Sequence, residues 1–129
     1  KDLAKEVGVT TPTIYNRTVK LKKEGVFLGY APMIAFDKLG YDVTAIINIQ
    51  IKDGKVKEAA AHFAKDPNVC SVYDISGRYD FLVIAKFHNV KELDNWDNKT
   101  LQQTQLIERL NTSIAFNTPK EGTSPNKIE

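Results

Sequence analysis

The feature that most constrains the fold is an alternation of two hydrophobic periods between residues 41 and 118. The first segment has an apolar residue at every second position: Val43, Ala45, Ile47, Ile49 and Ile51. A period of two predicts a β-strand with one buried face. Residues 56–64 then carry apolar residues three and four positions apart, which predicts an amphipathic helix. The segment therefore begins as a strand followed by a helix.

The same two signals continue along the segment. Three more strands are predicted, at residues 69–75, 80–87 and 110–116. Asn89 is a predicted helix N-cap, with Glu92 as the side chain that reaches back to it. The inner face of this second helix is formed by Leu93, Trp96, Thr100 and Thr104. The order β-α-β-β-α-β predicts a ferredoxin-like domain in an α+β protein.

Both helices of such a domain lie on one face of the sheet, because the crossover connections are right-handed. The first and third predicted strands are nevertheless apolar on both sides, with Ile46 beside Ile47 and Leu82 beside Val83. An apolar second face needs a cover, and a second copy of the sheet is the simplest one. We therefore expect at least a dimer. Replacing Ile47 or Val83 with aspartate should give monomers or aggregates, because an unpaired charge would be buried.

Residues 1–25 have the pattern of a helix-turn-helix. A short helix is predicted at residues 2–7 and ends at Gly8, and a second helix runs from Thr11 to about residue 24. The inner face of the second helix is formed by Ile14, Thr18 and Leu21. Two short amphipathic helices cannot bury enough apolar surface to fold alone, so we expect at least one further helix to precede residue 1.

The charge of the chain is unevenly distributed. The net charge is +2, but the first 30 residues contain six basic and three acidic side chains and sum to +3. Four of these basic residues lie between Arg17 and Lys23. A local basic patch on a nearly neutral protein favours a polyanionic partner such as double-stranded DNA, although a solvated helix face has the same composition.

In a helix-turn-helix, the second helix presents its outer face to the major groove. We predict that this face is formed by Thr11, Thr13, Tyr15, Asn16, Val19 and Lys20. Asn16 can pair with adenine through two hydrogen bonds. The lysines suited to phosphate contacts are Lys20, Lys22 and Lys23. Arg17 has two interpretations, a phosphate contact or an internal contact that braces the motif.

Several protein classes are excluded by what the sequence lacks. No uncharged apolar run approaches the roughly 18 residues of a membrane-spanning helix, and we expect a cytoplasmic protein because no secretory signal is found. The single cysteine, Cys70, cannot form an intrachain disulfide and is expected to be a small buried residue. Without a cysteine–histidine cluster, a glycine-rich phosphate loop or a metalloprotease motif, we expect no metal, no cofactor and no enzyme.

These patterns divide the chain into four regions: a helix-turn-helix at residues 1–25, a strand-like linker at 26–40, a ferredoxin-like domain at 41–121 and a tail at 122–129. The linker is apolar and extended, and Pro32 lacks a backbone donor, so the segment is either an edge strand or a strand-like linker. The tail is polar and rich in glycine and proline, which indicates a loose end.

Four segments resemble the Lrp/AsnC (feast/famine) family of transcriptional regulators, and the resemblance covers residues 1–121. LAKEVGVT at residues 3–10, followed by Thr13, Ile14 and Arg17, is similar to the family's reading motif. LKKEGV at residues 21–26 with Gly29 and Tyr30 is similar to its hinge, and KLG at residues 38–40 to the start of its effector domain. GRYDFL at residues 77–82 is similar to its Gly-x-Tyr-Asp hairpin. The first helix of the family's winged-helix type DNA-binding domain is missing.

The resemblance implies a sequence-specific regulator that forms dimers through its second domain and assembles further, often to octamers. It also implies an amino-acid effector bound between dimers, at Gly77, Arg78, Tyr79, Asp80 and Thr112. The chemistry agrees, because Asp80 can accept from an ammonium group while Gly77 amides and Arg78 can bind a carboxylate. Gly77 and Asp80 have a second interpretation, in which they only shape the hairpin.

Two alternative functions remain. Sirohaem decarboxylases are similar in architecture and use histidine and arginine around a haem-like substrate, a role that His88 and Arg78 can be assigned here. The basic second helix argues against this enzyme. The other alternative is a stand-alone effector and assembly module that does not bind DNA, which the missing first helix allows.

Overall fold

The computed structural model describes residues 11–126, in two units divided as Lys1–Ile34 and Ala35–Glu129. The elements in chain order are α1 (Thr11–Lys23), a 3₁₀ helix (Phe36–Leu39), β1 (Val43–Ile51), α2 (Val56–Ala64), β2 (Val69–Asp74), β3 (Phe81–Phe87), α3 (Val90–Gln103) and β4 (Ile107–Ile114). The helix predicted at residues 2–7 lies outside the described residues.

The second unit is built on a four-stranded antiparallel sheet with the order β2-β3-β1-β4. Ile47 of β1 is opposite Val83 of β3 on one side and opposite Thr112 of β4 on the other. The element order and this strand order together form the ferredoxin-like fold. The predicted fold class is therefore confirmed.

The core lies between one face of the sheet and the two helices. β1 alternates strictly between buried and half-buried residues, as its period of two predicts. The largest fully buried side chains are Phe63, Phe81, Phe87, Ile47, Ile49 and Val83. The predicted inner face of α3 is confirmed, because Leu93, Trp96, Thr100 and Thr104 are all buried.

Ile47 and Val83 do not lie on the open face of the sheet, so the prediction that they hold a dimer is wrong. Both side chains are 0% exposed beneath the helices. The neighbouring residues Ile46, Leu82 and Ile84 point to the opposite side, which we call the outer face, and are half-buried. Adjacent residues of a strand point to opposite faces of the sheet. Because these strands carry large apolar residues on both faces, the sequence alone does not show which face the helices cover.

The start of α3 contains half of the predicted capping interaction. The Asn89 side chain accepts a hydrogen bond of 2.8 Å from the Glu92 backbone N–H, as an N-cap does. The Glu92 carboxylate turns instead to the His88 ring nitrogen Nδ1, at 2.8 Å, and to the Asn68 amide, at 3.3 Å. The hydrogen bond with His88 is the main reason why the pKa of Glu92 lies below its usual value.

Three segments differ from the sequence-based expectations. β4 spans Ile107–Ile114 rather than residues 110–116, because it pairs with the end of β1 through a register shift at Gln50 and Ile51. Residues 27–35 form no strand pairing within the part of the chain that the structure describes, which excludes the edge strand and leaves the strand-like linker. Cys70 is exposed rather than buried, because the pairing of β2 with β3 shifts between Val69 and Ser71.

Candidate functional site

The first candidate site is the exposed surface of α1. Among the residues predicted to meet DNA, those with exposed side chains are Tyr15, Asn16, Arg17, Val19, Lys20, Lys22 and Lys23. Thr11 begins the helix, and Thr13 is half-buried. The helix therefore presents an amide, an aromatic ring and four cations on the surface of its unit.

The basic end of α1 is fixed by a regular C-cap. Gly25 has a φ of +77°, its N–H donates to the Lys22 carbonyl at 3.2 Å, and the Val26 N–H donates to the Leu21 carbonyl at 2.9 Å. This is the Schellman arrangement, in which glycine supplies the left-handed residue. Lys20, Lys22 and Lys23 lie in the last turn, where cations offset the negative end of the helix dipole.

Leu21 is 39% exposed, about as much as Val19 at 38%, although the periodicity predicts that only Leu21 faces inward. Thr18 of the same predicted inner face is half-buried. Within residues 11–34 the structure describes no second helix that could cover this face. An apolar helix face is buried only where another element packs on it. Leu21 therefore remains partly exposed in this part of the chain.

The second candidate site is the hairpin between β2 and β3. Gly77 has a φ of +107°, a conformation that residues with a Cβ rarely adopt. Gly77 and Arg78 are exposed, and Tyr79 and Asp80 are half-buried. This turn brings four of the five predicted effector residues together, with exposed backbone amides beside a cation.

Asp80 has a structural role in this hairpin. Its carboxylate oxygen Oδ2 accepts a hydrogen bond of 2.7 Å from the backbone N–H of Ile51. Its own N–H donates to the Ile49 carbonyl at 2.9 Å, and its carbonyl accepts from the Ile75 N–H at 3.0 Å. These contacts support the hairpin-shaping interpretation, but they involve only one of the two carboxylate oxygens.

Thr112, the fifth predicted effector residue, is on edge strand β4, and β1 lies between it and the hairpin in the sheet order. Its hydroxyl donates a hydrogen bond of 2.9 Å to Oδ2 of Asp97 on α3. The other oxygen, Asp97 Oδ1, is buried and has no hydrogen-bond partner among the described residues. Thr112 is therefore already oriented by a carboxylate of the same chain.

Asp97 was not identified from the sequence as a candidate residue. Burial raises its pKa, the hydrogen bond from Thr112 lowers it, and the nearby Asp94 carboxylate raises it. A signal was present, because Asp97 follows Leu93 by four residues and is adjacent to Trp96 on the predicted inner face of α3. An acidic residue on a buried helix face usually has a specific partner.

The residues that a haem-like substrate would need are not brought together. Arg78 precedes β3 and His88 follows it, so the seven residues of this strand separate them by about 23 Å. The His88 ring instead stacks on Tyr41, with 4.2 Å between ring centroids. No group of three potential metal ligands is found within the described residues. None of the described helices is long and apolar enough to span a membrane.

Comparisons with known proteins agree with this architecture. Residues 44–125 match the family model described as Lrp/AsnC ligand binding domain. An uncharacterised HTH-type transcriptional regulator of Pyrococcus abyssi is 37% identical over 121 residues, which cover 94% of this chain and 82% of the relative. The structure of E. coli AsnC aligns with a TM-score of 0.81 at 27% identity, covering 95% of this chain and 83% of AsnC. The Neisseria meningitidis transcriptional regulator NMB0573, solved in complex with L-Met, has the same fold, with a TM-score of 0.83 at 22% identity and coverage of 95% and 81%.

Proposed function

Because the chain belongs to the Lrp/AsnC family of transcriptional regulators, we propose that it binds specific DNA sequences and that an amino-acid effector controls its assembly and DNA binding. The observation that carries this proposal is the presence, in one chain, of an exposed basic helix and a family ligand-binding domain. A regulator of this kind acts in the cytoplasm, where it meets DNA and free amino acids.

The DNA-binding part of the proposal is supported by the surface of α1. Asn16 is exposed and has the donor and acceptor that adenine requires in the major groove. Lys20, Lys22 and Lys23 are exposed at the capped end of the helix, where they can reach phosphates. Asn16 would then select the sequence, while the lysines provide affinity.

Selection of bound DNA from a random library, followed by titration of the selected site, tests this part. Lys20→Ala should weaken binding to all sequences and reduce the dependence of log affinity on log salt concentration by about one unit. Lys57→Ala is the matched control, because Lys57 is an exposed lysine of α2 in the other unit. If the chain selects no sequence, the alternative of an effector and assembly module without DNA binding replaces the proposal.

The effector part is supported by the exposed amides of the β2–β3 turn. Gly77 leaves the backbone accessible, and the Arg78 guanidinium is exposed beside it, so an amino-acid carboxylate can be bound there. The Asp80 oxygen that does not accept from Ile51 can accept from the ammonium group. Thr112 is separated from the turn by β1 in the same chain, so it would contact the effector from a neighbouring copy, in the site between dimers that the family resemblance implies. Because L-Met is present in the Neisseria structure, methionine is the first effector to test.

Calorimetry with the twenty amino acids tests this part directly. Arg78→Ala should weaken binding of every amino acid that binds the wild type, because it removes a cation from the exposed turn. Lys91→Ala, which removes an exposed cation on α3, is the control and should leave binding unchanged. If none of the twenty amino acids binds, the hairpin has only a structural role.

The assembly part of the proposal is a homodimer formed through the outer face, with further association to higher oligomers such as octamers. The outer face carries Ile46, Leu82 and Ile84, which are apolar and only half-buried in the single chain. Two sheets that pack face to face would bury these side chains from both copies. Sedimentation of the wild-type chain should therefore show a dimer or a multiple of it.

A further inference from the structure

Residues 115–122, which we call the strap, follow β4 and cross part of the outer face. The Ala115 N–H donates to the Thr44 carbonyl at 2.9 Å and continues the strand pairing by one step. The strap then lies over Ile46 and Ile84, which are directly paired across β1 and β3. The strap therefore covers the cross-strand isoleucine pair of the face proposed to bind a second copy.

One ion pair joins the strap to the sheet. The Lys86 ammonium lies 3.1 Å and 3.2 Å from the two Glu121 carboxylate oxygens, and it also donates to the Thr44 hydroxyl at 3.0 Å. The Lys86 side chain is only 13% exposed, while that of Glu121 is 52% exposed. Phe36 places its ring 5.7 Å from the same ammonium. Lys86 thus fixes the strap at one end of the outer face.

The strap is a loosely fitted cover. Residues 116–122 are all exposed, and Phe116 is 95% exposed at the base of the strap. The strap and the side chains of Ile46 and Ile84 line a cleft of about 290 Å³ that is open to solvent. Close-packed protein surfaces leave few gaps of this size between them. A better-fitting apolar surface can therefore replace the strap over these two isoleucines.

We propose that the strap is a displaceable cover of the outer face, held by Lys86 and Glu121, and that the sheet of a second copy displaces it. This inference rests on the proposed homodimer. Packed sheets lie about 10 Å apart, so a partner sheet over Ile46 and Ile84 would occupy the layer in which the strap lies. Dimer formation then competes with closure of the strap.

A second copy is the fitting occupant because the central part of the outer face is nearly neutral. On β1 this face carries the uncharged residues Thr44, Asn48 and Gln50 beside Ile46. On β3 the same face carries Leu82 and Ile84, and its charged residue, Lys86, lies near one end of the strand, where the Thr44 hydroxyl still accepts from it when Glu121 leaves. Two identical faces of this composition can approach each other without strong repulsion.

The test compares Glu121→Gln with Glu58→Gln by sedimentation of fluorescently labelled chains over a dilution series. Glu121→Gln removes the charge that holds the strap and should tighten the dimer by about two- to thirty-fold, because two straps open in each dimer and each is held by one exposed ion pair. Glu58→Gln removes the same charge from the exposed Lys55–Glu58 pair on α2, on the other side of the sheet, and should leave the dimer dissociation constant unchanged. An unchanged or weaker dimer for Glu121→Gln would overturn the proposal.

Two further variants separate this inference from the proposed dimer itself. Ile46→Asp should dissociate the dimer whether or not the strap competes with it, so a dimer that survives this change refutes the outer-face interface. If Ile46→Asp dissociates the dimer while Glu121→Gln has no effect, only the competing strap is refuted. In a Lys86→Met background, Glu121→Gln should have no additional effect, because the two residues act as one pair.

Discussion

The Asp80 carboxylate is 2.7 Å from the backbone nitrogen of Ile51, a residue 29 positions earlier in the chain. Ile51 lies where the pairing of β1 with β4 shifts in register. Asp80 therefore supplies a hydrogen-bond acceptor at an irregular point of the sheet. The residue proposed to bind an effector also ties the β2–β3 hairpin to the end of β1, so effector binding at Asp80 would be coupled to local stability.

Asp80→Ala should lower the free energy of unfolding by about 1–3 kcal/mol, because it leaves the Ile51 N–H without its acceptor. Asp80→Asn retains a neutral oxygen and should recover part of this loss. Urea unfolding of both variants measures the effect. Both variants should also lose amino-acid binding, since neither carries the charge for the ammonium. Wild-type affinity in a folded Asp80→Asn protein would show that the carboxylate does not bind the effector.

Asp97 should make stability depend on pH. Because burial raises its pKa in the folded state, the folded protein binds this proton more tightly than the unfolded chain does. The protonated Asp97 therefore adds to the free energy of unfolding. This stabilisation is fully present below the pKa of the unfolded chain, about 3.9, and is lost as pH rises through the higher pKa of the folded state. Urea unfolding at a series of pH values should show that Asp97→Asn lacks this loss.

Asp94→Asn provides a control for the Asp97 experiment. The Asp94 carboxylate raises the pKa of Asp97 by like-charge repulsion. Its removal should therefore move the loss of stability to lower pH without abolishing it. Identical pH profiles for the wild type and Asp97→Asn would contradict the assignment of this titration to Asp97.

Aspartate at Ile46 and at Ile47 should have different effects, although the two residues are adjacent. Ile47 is 0% exposed in the core, so a charge there should unfold the domain at a cost of several kcal/mol. Ile46 is half-buried on the outer face, so the variant should stay folded and lose the dimer. Circular dichroism and sedimentation distinguish the two results. A folded Ile47→Asp protein would show that the assignment of the two faces is wrong.

Asn16→Ala should reduce the DNA-binding free energy contributed by one base pair by about 1–3 kcal/mol and relax the preference for adenine at that position. The expected cause is the loss of two hydrogen bonds to a base edge from the exposed surface of α1. Binding measured against a set of single-base variants of the selected site provides the test. An unchanged base preference would remove Asn16 from the group of base-reading residues.

Cys70 should report the state of the strap. Partial burial of its sulfur raises the pKa of the Cys70 thiol, Lys86 lowers it and Glu121 raises it. Glu121→Gln should therefore lower this pKa, and Lys86→Met should raise it. The pH dependence of Cys70 alkylation measures both shifts. Identical pH profiles of alkylation for the wild type and both variants would show that Lys86 and Glu121 have no electrostatic effect on the Cys70 thiol.

The positions of most elements and the composition of the core could be predicted from the sequence, because burial leaves a period of two or 3.6 in the order of apolar residues. The α3 face of Leu93, Trp96 and Thr100 was predicted in this way. The predicted DNA-contacting and effector residues are also local patterns, one helix surface and one turn. Their roles remain predictions, and Arg17 keeps both of its interpretations.

The pairings between distant residues could be established only from the folded structure. Asp80 with Ile51, Thr112 with Asp97 and Lys86 with Glu121 are separated by 29, 15 and 35 positions. The choice between Ile46 and Ile47 as the core residue belongs to the same group. The physical reason is that periodicity records which residues share a face, whereas a hydrogen bond or an ion pair depends on which elements the folded sheet brings within about 3 Å of each other.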